Sequence, residues 1–211
     1  MNIANYKTLI FDCDGVVLDS NKVKTEAFYK AALPFGEKAA QKLVSHHVLN
    51  GGISRYKKFE WFIQEVVSDE EAELNQLLES YAQFVKSGLF TCDIAEGLSE
   101  LREKTCNANW LIVSGGDQQE LREVFAARKL IDFFDGGVFG SPDSKDLILE
   151  REIANNNIQM PAIFLGDSRY DHVASSNAGL DFLFLNYWTE FENWKDYCQT
   201  NNLNVHNSLR L

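Results

Sequence analysis

The sequence predicts an α/β protein whose parallel sheet is interrupted, after its first strand, by an all-helical insertion. Two observations predict this architecture. Short apolar, β-rich runs alternate with helical patterns in the second half of the chain, and the interval 17–92 holds helical patterns and no convincing strand. Parallel strands need long crossover connections, usually helices, and their burial on both faces gives continuous apolar runs. The predicted strands cover residues 7–12, 110–114, 137–140, 162–167 and 182–186.

Two helices can be placed within the insertion. Ser20 or Asn21 can cap the first, because apolar side chains recur on one side of the residues that follow, at Val23, Ala27, Phe28 and Ala31. Ser68 and Glu71 have the spacing of a capping box, in which a hydroxyl and an acidic side chain satisfy free backbone N–H groups. This pattern predicts a second helix with apolar positions at Leu74, Leu77, Leu78 and Tyr81.

Aromatic side chains follow the last predicted strand at roughly helical spacing, at Trp188, Phe191, Trp194 and Tyr197. An apolar stripe of this kind is more often the buried face of a helix than a binding surface. We therefore expect one helix over this stretch, packed on the core.

Size and charge restrict the classes of function. The 211 residues suffice for one domain, or for a core domain with a smaller insertion. A hydrophobic content of 45% argues against disorder. The net charge of -11 argues against nucleic acid or an anionic membrane as partner, because polyanions are repelled. A small anionic substrate remains compatible, since a divalent cation and a few basic residues can reverse the local field.

The cysteines indicate a reducing environment. Four of them are widely spaced, without a Cys-x-x-Cys or metal-ligand pattern, at Cys13, Cys92, Cys106 and Cys198. The first strand begins almost at the N-terminus, and no run approaches the roughly 20 apolar residues that cross a bilayer. We therefore expect neither a signal peptide nor a membrane helix, and a cytoplasmic protein.

Two carboxylates, Asp12 and Asp14, close the first predicted strand. Open α/β sheets bind ligands beyond the carboxyl ends of their strands, so this position suits chemistry. Asp-x-Asp also occurs in calcium loops, in sugar-nucleotide enzymes and by chance. An EF-hand loop would need a further Asp or Asn before its glycine and a helix leading in, whereas Gly15 follows Asp14 directly and an apolar strand precedes Asp12.

Three further segments place polar residues at strand ends. Ser114, Gly115 and Gly116 precede a helix that Asp117 and Glu120 could cap, and backbone N–H groups at a helix start can bind phosphate. A loop after the third strand delivers Lys145, and the fourth strand ends at Asp167 with Asp171 four residues later. Each segment alone has an ordinary explanation: a strand-to-helix turn, a solvated lysine, and a helix cap with one exposed aspartate.

Together, in this order, the four segments resemble the signature of the haloacid dehalogenase superfamily, in particular its capped members such as phosphoglycolate phosphatase and β-phosphoglucomutase. The resemblance implies a Rossmann-like core formed by residues 1–16 and 93–211, with a helical cap of residues 17–92 that closes over the site and selects the substrate. Residues 17–19 and 89–93 would be the hinges of this cap.

The resemblance also implies roles for individual residues. Asp12 would be the nucleophile that forms an aspartyl phosphate, and Asp14 the general acid/base, kept protonated by crowded carboxylates. Lys145 would neutralise charge, and the transferring phosphoryl would be bound by Ser114 and the N–H groups of Gly115 and Gly116. A Mg²⁺ ion would be held by Asp12, the backbone carbonyl of Asp14, Asp167 and, directly or through water, Asp171.

Within the cap, Arg55 lies in a segment that resembles the Gly-x-Ser-Arg specificity loop of capped relatives. It would contact a second anionic or polar group of the substrate; the alternative is an exposed arginine at a helix start. Lys57 and Lys58 are weaker candidates for the same role, since a run of charged residues usually lies on a solvated face. His46 and His47 are expected to be surface or packing residues without a metal.

These features predict a Mg²⁺-dependent phosphatase that acts on a small phosphorylated metabolite, such as a sugar phosphate or a phosphoglycolate-like acid. By resemblance, Asp14 favours phosphate esters, and the form Gly-Asp-Ser-Arg-Tyr-Asp at residues 166–171 favours a phosphatase. The alternatives are a phosphomutase with the same Asp12 chemistry and a non-catalytic regulatory protein on this fold. The sequence leaves the oligomeric state open.

Overall fold

The computed structural model describes residues 2–67 and 73–211 and contains, in these residues, a six-stranded parallel sheet. The strand order is β3-β2-β1-β4-β5-β6. The strands are β1 (Thr8–Phe11), β2 (Asn109–Asp117), β3 (Gly137–Ser141), β4 (Ala162–Gly166), β5 (Asp181–Leu185) and β6 (Asn204–His206). The predicted α/β fold is therefore confirmed.

The α-helices lie between the strands along the chain. They are α1 (Asn21–Ala32), α2 (Glu37–Leu49), α3 (Arg55–Phe62), α4 (Leu74–Thr91), α5 (Leu98–Lys104), α6 (Gln118–Ala127), α7 (Lys145–Ala154), α8 (Arg169–Asn177) and α9 (Trp194–Thr200). Side chains of β1 alternate between two apolar clusters, with Leu9 and Phe11 in one and Ile10 in the other. The central strands are thus covered on both faces, which explains their continuous apolar runs.

The predicted helical insertion, residues 17–92, is helical in its described part: residues 17–67 and 73–92 contain α1 to α4 and no strand of the sheet. Phe28 lies at its centre, with ring centroids 4.5 Å from those of His47 and Tyr81 and 5.2 Å from that of Phe59. The predicted capping box of Ser68 and Glu71 lies outside the described residues. The division into core and cap stays a prediction.

Two crossings join the helical segment to the sheet. Asp19 N donates to the carbonyl of Asp93, and Ala95 N donates to the carbonyl of Val17, each at 2.9 Å. The second predicted hinge, residues 89–93, begins inside α4, which continues to Thr91.

The C-terminal region differs from the prediction in two ways. The helix α9 begins only at Trp194, so Trp188 and Phe191 lie in the turns before it and the prediction of one helix through all four aromatic residues was wrong. The rings of Trp188 and Phe191 still pack on the apolar core. Their spacing therefore reflected burial and not a helix. Strand β6 was not predicted because it is a short, exposed edge strand without an apolar run.

In residues 2–67 and 73–211, no helix combines the length and apolar character needed to cross a membrane.

A tight turn at Gly15 follows β1 and brings this strand end against β4. Gly15 has φ +75°, and its N–H donates to the carbonyl of Leu18 at 2.8 Å. A Cβ atom at this position would lie 2.1 Å from Oδ2 of Asp167. Both the backbone conformation and the close approach therefore require glycine.

We predict that Gly15→Ala destabilises the protein more than Gly179→Ala. Gly179 has a similar φ of +70° but nothing within 4 Å of an added Cβ, so its substitution costs only backbone strain, about 1–2 kcal/mol. Gly15→Ala adds a collision with Asp167, for about 1–3 kcal/mol more. Urea unfolding of both variants measures the difference, and equal losses would contradict the close approach.

Candidate active site

Three buried carboxylates meet at the carboxyl edge of the sheet. Asp12 follows β1 and Asp167 follows β4, and these strands are neighbours in register, with Phe11 opposite Leu165. Asp171 lies in the first turn of α8. One carboxylate oxygen from each of Asp12, Asp167 and Asp171 lies within 4.8 Å of the other two. The structure thus brings together the acidic residues that the sequence predicted as metal ligands.

Lys145 is the cation in contact with this cluster. It is the first residue of α7, is 1% exposed, and has its ammonium 3.0 Å from Oδ1 of Asp12 and ion-paired with Oδ1 of Asp171. Burial lowers the pKa of Lys145, but the two carboxylates outweigh burial and raise it above its usual value. The lysine is therefore charged, and the alternative of a solvated surface lysine was wrong.

Asp171 both holds the helix and faces the cluster. Its Oδ2 accepts hydrogen bonds from the hydroxyl (2.6 Å) and the backbone N–H (3.0 Å) of Ser168, and Ser168 Oγ in turn accepts from Asp171 N. This is a capping box, so the expected helix cap is present. The aspartate is nevertheless fully buried rather than exposed.

Burial and neighbouring carboxylates raise the pKa of Asp12 and of Asp167. Burial raises the pKa of Asp12 to about 7; Lys145 opposes this rise and Asp171 adds to it. Burial, then the charges of Asp171 and Asp12, raise the pKa of Asp167 well above its usual value, although Asn21 Nδ2 donates to its Oδ2 at 2.8 Å. Three ionised carboxylates beside one ammonium would leave an excess of two negative charges.

This donor set fits a divalent cation. Mg²⁺ prefers hard oxygen ligands such as these carboxylates, and its double positive charge would offset the two surplus negative charges. Asp12, Asp167 and Asp171 are the described residues that could hold such an ion.

Asp14 has a different environment from the three clustered carboxylates. Its Oδ1 accepts from Ser20 Oγ at 2.6 Å and its Oδ2 is ion-paired with Lys24. Burial raises the pKa of Asp14, but Lys24 and Ser20 more than offset this and lower it below its usual value. The expectation of a protonated Asp14 was therefore wrong for this arrangement. Its partner, Lys24, lies ten residues away in α1, and no local sequence pattern identifies this pairing.

The predicted phosphate-binding segment forms the end of β2 and directly precedes the N-cap of α6, Asp117. Ser114 is fully buried, and its Oγ accepts the N–H of Gly116 at 3.0 Å. Gly115 lies against the helical segment, since a Cβ there would be 2.2 Å from the carbonyl oxygen of Gly52. The predicted cap of the following helix is confirmed, with Asp117 Oδ1 accepting from the N–H of Glu120 at 3.0 Å.

Arg55 is buried, so the alternative of an exposed arginine was wrong. It begins α3, ion-pairs with Glu120 of α6, and has its guanidinium 4.7 Å from the ring centroid of Tyr81. Arg55 thereby connects the helical segment to the core. In this structure, Glu120 neutralises the charge of Arg55 that was predicted to contact the substrate.

A cavity of about 330 Å³ lies between the helical segment and the sheet edge. Its lining includes Asp12, Asp14 and Asp167 from the core, Arg55, Lys58 and Tyr81 from the helical segment, and Gly115 and Gly116 from β2. Ligand sites of this size bury most of a small molecule.

Two lysines of the helical segment line this cavity although neither was among the predicted site residues. Lys24 was not predicted at all. Lys58 was a weaker candidate expected on a solvated face, but it is 2% exposed. Both lie on the buried faces of their helices, one turn from Phe28 and Phe62 respectively. A lysine in phase with apolar residues was the signal that could have identified them. Lys57 is exposed as expected.

His46 and His47 lie in two different environments, both outside the carboxylate cluster. The ring of His46 stacks on Trp61 with centroids 3.7 Å apart. His47 is buried, and its Nδ1 lies 2.7 Å from Nζ of Lys58.

Asn21 was not predicted to be a site residue either. Its Nδ2 donates to Oδ2 of Asp167 and to the carbonyl of Trp188.

The fold is similar to solved structures at low sequence identity. A predicted phosphatase from Clostridium acetobutylicum is 16% identical over 97% of this chain and 94% of its own, with a TM-score of 0.75. A predicted phosphoglycolate phosphatase from Haemophilus somnus is 15% identical over 97% and 95%, with a TM-score of 0.74. A β-phosphoglucomutase from Clostridium difficile is 20% identical over 97% and 92%, with a TM-score of 0.72. Identities this low show a shared fold.

No curated protein sequence matches the chain. A family model does: the model of haloacid dehalogenase-like hydrolases covers residues 6–179. This range includes the four segments that carry the resemblance and most of the sheet. The predicted resemblance and the predicted hydrolase class are confirmed, and the chain belongs to the haloacid dehalogenase-like hydrolase family.

Proposed function

We propose that the protein is a Mg²⁺-dependent phosphatase that hydrolyses a small phosphorylated metabolite through an aspartyl phosphate on Asp12. The observation that carries this proposal is the contact between Lys145 and Asp12, 3.0 Å apart, inside a buried cluster of three carboxylates. A carboxylate that attacks a phosphate ester meets charge repulsion, so it needs cations beside it.

In the first half-reaction, a carboxylate oxygen of Asp12 attacks phosphorus and the bond to the ester oxygen breaks. Lys145 stabilises the charge on Asp12 and on the phosphoryl oxygens. A Mg²⁺ ion bound by Asp12, the Asp14 carbonyl, Asp167 and Asp171 would neutralise the remaining negative charge. Ser114, Gly115 and Gly116 would orient the phosphoryl group from β2.

Asp14 would give a proton to the leaving oxygen and, in the second half-reaction, take one from the water that attacks the phosphorus of the aspartyl phosphate. Inorganic phosphate then leaves and Asp12 is regenerated. Because Asp14 is ion-paired with Lys24 in this structure, proton donation requires that this pair opens and that Asp14 gains a proton first.

The helical segment would act as the substrate-selecting cap, comprising residues 17–92 on a core of residues 1–16 and 93–211. Support comes from the cavity, whose lining is shared between the two parts. A closed cap excludes water and completes the site. The volume of about 330 Å³ suits a sugar phosphate or a phosphoglycolate-like acid.

A phosphomutase is the second candidate, supported by the fold shared with a β-phosphoglucomutase over 97% of the chain. Both candidates use the same attack by Asp12. They differ in whether the phosphoryl group passes to water or back to a sugar hydroxyl.

We predict that Asp12→Asn lowers phosphate release at least about 1,000-fold, because an amide cannot form the acyl phosphate. Asp14→Asn is expected to lower kcat about 10²–10⁴-fold, the usual contribution of general acid–base catalysis. A panel of phosphate esters assayed for free phosphate measures both. The exposed Asp132→Asn is the control and should keep wild-type turnover. Undiminished turnover by the Asp12 variant would refute the nucleophile assignment.

We also predict that Mg²⁺ stabilises the wild type and stabilises Asp167→Asn much less. Saturation at 100 times the dissociation constant contributes about 2.7 kcal/mol to the free energy of unfolding. Without metal, Asp167→Asn should be more stable than the wild type. The reason is that burial and the charges of Asp171 and Asp12 disfavour the ionised form of Asp167 and raise its pKa. Urea unfolding with EDTA or excess Mg²⁺ tests this without an activity assay. A wild type indifferent to Mg²⁺ would exclude the metal site.

Hexose phosphates separate the two candidate functions. A phosphatase is expected to convert them to free sugar and phosphate in equal amounts. Phosphorus NMR that shows an isomerised ester and little free phosphate would instead establish the mutase.

A further inference from the structure

We propose that Lys58 and His47 form a subsite for a carboxylate on the leaving group of the substrate. This inference rests on the proposed phosphatase and narrows its substrate class to phosphorylated carboxylic acids. Lys58 lies on α3 and His47 on α2, and both line the cavity that contains Asp12.

Lys58 lacks a carboxylate partner in the described parts of the chain. It is 2% exposed, and its ammonium lies 2.7 Å from Nδ1 of His47 and over the face of Phe28, 5.5 Å from the ring centroid. Among residues 2–67 and 73–211, no Asp or Glu oxygen lies within 4.0 Å of it. A buried lysine without a counter-ion is destabilising, so a function for its charge is expected.

The two other basic residues by which the helical segment lines the cavity are already neutralised. Lys24 is paired with Asp14, and Arg55 with Glu120. Lys145, from the core, is shared between Asp12 and Asp171. Arg169 also lines the cavity, but its side chain is exposed, so water can solvate its charge. Among the described residues of the lining, Lys58 is therefore the buried cation that has no carboxylate partner.

The subsite fits a single negative charge. Burial, followed by the charge of Lys58, lowers the pKa of His47 well below its usual value, so the imidazole is neutral. With Nδ1 accepting from the ammonium, Nε2 carries the proton and is a second donor. One ammonium and one neutral donor match a carboxylate rather than the double charge of a second phosphate.

Desolvation of Lys58 agrees with this arrangement. Burial, aided by Lys24, lowers the pKa of Lys58 to about 7, and the more distant charges of Asp14 and Asp12 oppose this only in part. A bound carboxylate would restore the favourable charged form. An acid would therefore gain binding energy by pairing with an ammonium that has no carboxylate partner among the described residues.

Three pairs of esters test the proposal, each pair differing only in a carboxylate or a neutral hydroxymethyl group. They are 2-phosphoglycolate and 2-hydroxyethyl phosphate, 3-phosphoglycerate and glycerol 3-phosphate, and 6-phosphogluconate and sorbitol 6-phosphate. The pairs span three lengths between phosphate and carboxylate. In at least one pair, the wild type should have a kcat/KM about 10-fold or more higher for the acid, as expected of a charged hydrogen bond.

Lys58→Met should reduce this ratio of acid to neutral ester to about 1–3, with the loss mainly in KM. Lys57→Met is the matched control, because Lys57 is the neighbouring residue, is exposed and pairs with Glu60. This variant should keep the wild-type ratio. An unchanged ratio in Lys58→Met would overturn the subsite, as would equal use of acid and neutral ester in all three pairs. Preference for fructose 1,6-bisphosphate over every acid would overturn the carboxylate assignment.

Calorimetric binding to Asp12→Asn separates this proposal from the phosphatase itself. The acids should bind this variant at least about 10-fold more tightly than their neutral partners, and added Lys58→Met should remove the difference. If no ester releases phosphate but this binding preference is found, the proposed function fails while the subsite stands. If esters are hydrolysed but no acid binds preferentially, the subsite fails alone.

Discussion

The ammonium of Lys145 is the group on which the rest of the site depends. It lies between Asp12 and Asp171 and so joins the end of β1 to the starts of α7 and α8. Removing one partner of a buried ion pair typically costs about 3–5 kcal/mol, since the other charge is left uncompensated. The three carboxylates can therefore lie close together only because this lysine, and in our proposal a divalent cation, offset their repulsion.

The same compensation of charge extends across the cavity and fixes the helical segment against the core. Lys24 and Arg55, from the helical segment, pair with Asp14 and Glu120 of the core. Close backbone approach at Gly115 reinforces these contacts. The structure thus shows an arrangement in which the charges of the cavity largely satisfy one another. A substrate would enter by replacing some of these pairs, and Lys58 is the buried position at which it would meet a charge that has no carboxylate partner among the described residues.

The sequence predicted the parts of the molecule that are set by local patterns. Apolar runs identified the central strands, and polar residues at their ends identified Asp12, Lys145, Asp167 and Asp171, because parallel strands bring their carboxyl ends to one edge. It failed where the outcome depends on tertiary packing. The aromatic spacing before Trp194 did not require a helix.

The protonation of Asp14 could not be predicted for a related reason. It is set by Lys24, a residue of α1, and the position of this helix depends on its tertiary packing against α2 and α4. The most direct test of the central claim is mass spectrometry of the peptide containing Asp12 after rapid acid quench of a turning-over reaction. Our account predicts that this peptide transiently carries one phosphoryl group on Asp12. Consumption of substrate while the peptide stays unmodified, or a phosphoryl group on another residue, would contradict it.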